Sequence, residues 1–199
     1  MNKVAGLLRD LRRKPATSYS LLLDTHSAHQ KLFAGLTPSD RGFYAGHYRG
    51  EKPEPLLSMR AFVGGEEKAL PGIVDDAMSK LRGRIKDHLS ILDKQHRDPV
   101  TTPEIDFLLN LVAAVASIFC DFLQIHPYVN GNGHIARLMV VAMFGRYGFW
   151  ITGWSVHPRP PEPKYTDLQD KYWAGKTEPL HTFLMTALLS VKAGALPPP

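Results

Sequence analysis

Apolar residues at three- and four-residue spacing mark most of this chain as helical, and two stretches dominate the pattern. Val74, Ala77, Met78, Leu81, Ile85, His88, Leu89 and Leu92 keep that spacing, with Asp75 and Asp76 in the first turn, where the helix dipole favours acids. Further on, Leu108, Leu109, Leu111, Val112, Val115, Ile118, Phe119 and Phe122 occupy most of a helix circumference. That distribution predicts a helix running through the middle of a bundle. Thr102-Pro103-Glu104 opens it with a capping hydroxyl, a first-turn proline and an acid. Pro127 disfavours helical dihedrals at His126, so the helix is expected to end there. Asp106, Asn110, Asp121 and Gln124 interrupt its apolar run, which argues for a buried core helix over a membrane span.

Weaker patterns fill in the rest. Residues 2–13 predict a short amphipathic helix through Val4, Leu7, Leu8 and Leu11, and Ser18 to Phe33 carries a fainter helical signal. Thr37 to Asp40 reads as a turn, and Gly42 to Arg49 is irregular. Gly64-Gly65 between Arg60–Val63 and Glu66–Ala69 signals a β-hairpin, the only sheet expected. From Gly133 to about Tyr147 a second apolar helix carries Ile135, Leu138, Met139, Val141, Ala142 and Phe144, with Gly148 placed to end it. Val156 to Lys164, with four prolines, is a connector. Tyr165–Trp173 and Pro179–Val191 predict two closing helices, the second with Leu180, Phe183, Leu184, Leu188 and Leu189 as its core face. Pro197–Pro199 is expected to fray. The fold class is all-α, a helical bundle with one small hairpin.

Composition narrows the setting. At 199 residues, 44% hydrophobic and 22% charged, the chain has the balance of a soluble domain with a full core. A net charge of +5 suits acidic ligands such as nucleotides but is too mild to argue for nucleic acid. The basic cluster Lys3, Arg9, Arg12, Arg13 and Lys14 reads as a solvated helix face. One cysteine, Cys120, leaves no disulfide framework or cysteine zinc site, and its apolar surroundings make it a core residue. No uninterrupted apolar run follows the basic N-terminus, so no signal peptide is expected and a cytoplasmic location is.

The candidate chemistry sits where the core helix stops, in His126-Pro-Tyr-Val-Asn-Gly-Asn-Gly-His-Ile-Ala-Arg137. Gly131-Asn132-Gly133 offers permissive backbone at the N-terminus of the next helix, where unpaired amides and the dipole favour an anion. Arg137 lies one turn on and leans back towards the same point. His126, titrating near neutrality, is the candidate base. Asn132 is placed to cap the helix or to meet a phosphate, and Tyr128 to pack below the loop. The spacing is not that of a Walker A loop. His126 and His134 lack both the helical arrangement and a third ligand that a zinc site requires.

This stretch resembles the signature of the Fic family (filamentation induced by cAMP), H-x-F-x-D/E-G-N-G-R-x-x-R. Ala45-Gly-His-Tyr-Arg49 is similar to the family's early Gly-x-x-Arg element, and the Gly64-Gly65 hairpin falls where the family has a target-docking flap. The resemblance divides the chain into an N-terminal helical extension (1–36), a Fic-like domain (37–192) and a flexible tail (193–199). It implies a protein adenylyltransferase, with ATP as co-substrate and a target protein bearing a Ser, Thr or Tyr hydroxyl. By that analogy His126 deprotonates the hydroxyl. Asn130, Gly131, Asn132, Gly133, His134 and Arg137 hold the phosphates. Phe62, Val63, Gly64 and Gly65 align the target by strand addition.

Two positions depart from the signature. Asn130 stands where the family has an acid that helps hold Mg²⁺, and an amide is a weaker ligand for a hard cation. His134 stands where it has an arginine, removing a permanent charge. These changes point to a donor other than Mg·ATP, a low rate, or a non-catalytic binding module as the alternative. The family's inhibitory S/T-x-x-x-E-G/N motif is absent, so inhibition would require a partner protein supplying a glutamate to Arg137.

Overall fold

The computed structural model describes residues 2–98, 100–102, 104–151, 154–160 and 165–193. The predicted core helix, α6 (Glu104–Ile125), packs between α5 (Val74–Arg97), α7 (Asn132–Arg146) and α9 (Glu178–Ala193). By length and composition α6 is long and apolar enough to cross a membrane, but two-thirds of its apolar stretch (67%) is buried against its neighbours. Phe107, Leu111, Val115, Phe119 and Phe122 are buried on successive turns, each such side chain contributing about 1.5–3 kcal/mol to the bundle. Ile105 and Leu109 stay exposed, so the first turns are covered less completely than the pattern predicts. Cys120 is fully buried, and that burial pushes its thiol up to about 12.

α1 (Asn2–Arg13), α2 (Thr17–Leu23) and α3 (His26–Phe33) precede this bundle, and Leu7, Leu11, Leu22 and Leu32 join its core. The stretch from Ser18 to Phe33 is therefore two helices. Asp24 separates them, its carboxylate accepting the His26 N–H at 3.0 Å and breaking the helical ladder. A 3₁₀ turn at Ser39–Tyr44 and a one-turn helix, α4 (Glu54–Leu57), lead to the hairpin. Strands β1 (Phe62–Val63) and β2 (Glu66–Glu67) pair antiparallel, Phe62 opposite Glu67. Gly64 and Gly65 both take positive φ, the conformation a tight two-residue hairpin turn demands.

α7 ends as predicted: Gly148 is left-handed and the Phe149 N–H reaches back to the Phe144 carbonyl at 3.0 Å. α8 (Tyr165–Trp173) packs with α9. Leu180, Leu184 and Leu188 form the core face of α9, but Leu189 is exposed because it falls outside the stripe they define. Pro161–Lys164 of the proline-rich connector, Pro103 and the tail at 197–199 lie outside the described residues.

Candidate active site

α6 stops at Ile125, and His126 turns into the left-handed region at φ 53°. A non-glycine residue there is strained by roughly 1–3 kcal/mol, a cost associated with functional positions. Pro127 follows, so the helix cannot continue. The His126 N–H still donates to Phe122 at 2.9 Å, while its half-buried ring leaves the helix axis. Nδ1 lies 3.3 Å from the Leu123 carbonyl, which can only accept, so this contact favours the Nδ1–H tautomer. Nε2 then carries the lone pair. Burial holds the imidazole below its ordinary pKa, and the charges of Arg49 and Lys68 act in the same direction, against the Leu123 hydrogen bond. The ring is neutral at neutral pH and can take a proton.

The loop turns beneath this ring. Tyr128 is fully buried, as expected, and its hydroxyl meets Thr25 Oγ1 at 2.7 Å. The Tyr128 N–H donates to Asn132 Oδ1 at 2.9 Å, and Asn132 Nδ2 donates back to the Tyr128 carbonyl at 2.8 Å. Asn132 was expected to cap the helix or meet a phosphate through its side chain. Instead the side chain is a buried staple closing the loop, since both ends of its amide are used there. The exposed Asn130 makes a local contact, its Oδ1 accepting the Gly131 N–H at 2.7 Å. Gly131 is the left-handed N-cap of α7 at φ 82°. His134 and Ile135 donate their N–H groups to the Gly131 carbonyl, whereas the amides of Asn132 and Gly133 pair with nothing among the described residues. These two N–H groups, at the positive end of a 15-residue helix, are the nest the glycines predict.

Arg137 and His134 both meet the segment after α7. Arg137 is buried on α7, and its Nε donates to the Val156 carbonyl at 2.8 Å. The Trp154 indole N–H donates to the Arg137 carbonyl at 3.1 Å, so the segment after α7 is tied to this turn. His134 Nε2 lies 3.3 Å from His157 Nδ1. Burial keeps the His134 imidazole below its ordinary pKa, with Arg137, His157 and Arg159 adding to the effect. The permanent cation of the family signature is thus replaced by a neutral ring.

Two residues that pattern reading left without a role hold this geometry. His29 on α3 stacks on Tyr128 at 3.7 Å between ring centroids. Its Nδ1 accepts the Gly46 N–H at 2.9 Å, so Nε2 carries the hydrogen donated to the Asn130 carbonyl at 2.9 Å. Arg49 is 1% exposed. Its guanidinium donates to four backbone carbonyls: His126 at 2.9 Å, Ile125 at 3.1 Å, Met59 at 3.1 Å and Ala69 at 2.9 Å. Its own N–H donates to Pro127 at 2.7 Å. No one-dimensional signal marks His29, whereas Arg49 is marked by the resemblance of Ala45–Arg49 to the Gly-x-x-Arg element, without a role attached.

The flap residues are exposed. Phe62 and Val63 are 60% and 45% exposed, leaving apolar side chains on a short strand pair open to a partner. Arg60 pairs with Glu67 across the hairpin base. Lys68, buried at its end, sits 4.8 Å over the Trp173 ring and 3.4 Å from Gln124 Oε1.

A metal fits this site poorly. No group of three or more His, Cys, Asp or Glu side chains converges among the described residues. Asn130 Oδ1, the expected weak ligand, is committed to Gly131.

A family model described as the Fic/DOC family matches residues 23–144, from the end of α2 to within α7, and so includes every residue from His126 to Arg137. None of the curated proteins matches the chain.

Proposed function

Because the chain belongs to the Fic/DOC family, whose members transfer nucleotide- or phosphate-containing groups to proteins, we propose that it is a protein adenylyltransferase. The observation that carries this reading is a neutral imidazole with Nε2 available, on the same loop as two amides at the start of α7 that have no partner among the described residues. The target is a Ser, Thr or Tyr hydroxyl presented along the edge of the Phe62–Val63 strand.

The hydroxyl oxygen attacks the α-phosphorus of ATP as His126 Nε2 takes its proton. The bond from the α-phosphorus to the bridging oxygen breaks, and pyrophosphate leaves with its electrons. The amides of Asn132 and Gly133 stabilise charge that grows on the phosphate oxygens. We assign Arg137 and His134 to the distal phosphates. No step is assigned to a metal ion, since the residues present offer no carboxylate to hold one.

Incubation with candidate proteins and ATP labelled at the α- or the γ-phosphate tests this reading. Label from the α-position alone, lost in His126→Ala, is the expected result. Label from the γ-position alone means phosphorylation and overturns it. A second reading, a non-catalytic nucleotide-binding module, is favoured by the amide at Asn130 in place of a carboxylate and by the neutral His134. Binding of nucleotide without transfer from either position would select it.

A further inference from the structure

We infer that Arg49 is a positioning residue that sets the spacing between the flap and His126, and thereby the approach of the target hydroxyl to its base. The inference rests on the transferase reading for its catalytic consequence, but its structural content stands separately.

The carbonyls that Arg49 bonds come from two places. Ile125 and His126 end α6, whereas Met59 and Ala69 are the two stems of the hairpin. One planar guanidinium therefore bridges the base and both legs of the flap. The flap itself has few other anchors. Its strands are two residues each, and Phe62, Val63 and Glu66 are exposed. Among the described residues, the only other hydrogen bond from the stems to α6 is the long Lys68–Gln124 contact of 3.4 Å.

A cation buried among carbonyls with no directly paired carboxylate is costly to desolvate, and hydrophobic packing would serve stability as well. What packing would not supply is a rigid fork whose donors point in fixed directions at two separate segments. Lysine has the charge but not the fork. The nest is held differently, through His29 and Asn130, so Arg49 governs the target side of the site and not the nucleotide side.

Arg49→Lys separates these sides. Calorimetric titration with ATP is expected to give the wild-type affinity within about twofold, because the nest is untouched. Transfer to a protein target is expected to fall roughly 30- to 100-fold in kcat, the scale of an ångström-sized misplacement. Amide exchange at Lys68, whose N–H closes the hairpin onto Ala61, is expected to accelerate. Equal loss of nucleotide affinity and of transfer would overturn the inference, as would unchanged transfer with unchanged exchange. Should wild-type protein transfer nothing, the transferase reading fails alone, and the exchange measurement still decides the coupling. Should Arg49→Lys not fold, NMR of the wild-type guanidinium decides: its N–H hydrogens must be protected in step with the hairpin amides. Free exchange of those hydrogens beside a protected hairpin would refute the bridge.

Discussion

His29 and Asn130, separated by 101 positions in sequence, are joined by a 2.9 Å hydrogen bond from the imidazole Nε2–H to the backbone carbonyl. The same ring accepts the Gly46 N–H on Nδ1, so the two bonds coexist only in the neutral Nε2–H tautomer; protonation at Nδ1 breaks the Gly46 bond and leaves the Asn130 bond in place. The loop that would cradle phosphate is therefore fastened to α3 through a ring whose other contact, with the Gly46 N–H, is lost on protonation.

Stability should reflect this. Burial lowers the His29 pKa from 6.5 to about 4. The folded value lies below the unfolded one, so between these limits the unfolded chain binds more protons. His29 thus contributes full stability above about 6.5, and the contribution is lost as pH falls towards 4. The loss is on the order of 3 kcal/mol. Urea unfolding of wild type and His29→Gln across pH 4–7 checks it: the stability difference between them should shrink towards acid. A difference that is constant with pH would show that His29 does not titrate with folding.

Gly131 admits no side chain. Its φ of 82° is strained for any L-residue, and a Cβ there would overlap the Phe33 ring. Gly131→Ala should therefore lower stability by about 2–4 kcal/mol and disturb the nest. Adding Phe33→Leu should return part of the stability by removing the overlap but not the dihedral strain. Thermal unfolding of the single and double variants gives the answer; no recovery in the double variant would mean that the ring is not the obstacle.

Asn130→Asp tests what the amide costs. An aspartate can keep the Gly131 N–H on one oxygen and offer the other to a hard cation. Affinity for ATP in Mg²⁺, relative to ATP in a chelator, should rise by roughly tenfold over wild type. Identical ratios in both proteins, measured by calorimetry, would place metal handling elsewhere.

Legibility in the sequence followed the range of each interaction. The break at Pro127, the Gly64-Gly65 turn and the burial of Tyr128 and Cys120 depend on near neighbours or on periodicity, and all three appear in the structure. α4 was missed because a single turn between Pro53 and Leu57 has no period to display. Helix capping or a phosphate contact is the local expectation for Asn132, from its residue type and its place between two glycines. Its true partner, the Tyr128 backbone, depends on how the loop closes. His29 and the bridging role of Arg49 were invisible for a stronger reason. Their partners lie 101 and 77 positions away, where only the folded chain brings them together.

Cys120, the lone cysteine, has a practical consequence. With its thiol out of reach of solvent and almost wholly un-ionised at neutral pH, it is silent towards maleimides. A cysteine in place of the exposed Glu66, beside the hairpin turn, would be the only reactive thiol in an otherwise native chain. A fluorophore there would report flap movement as nucleotide and target arrive, without any cysteine having to be removed first.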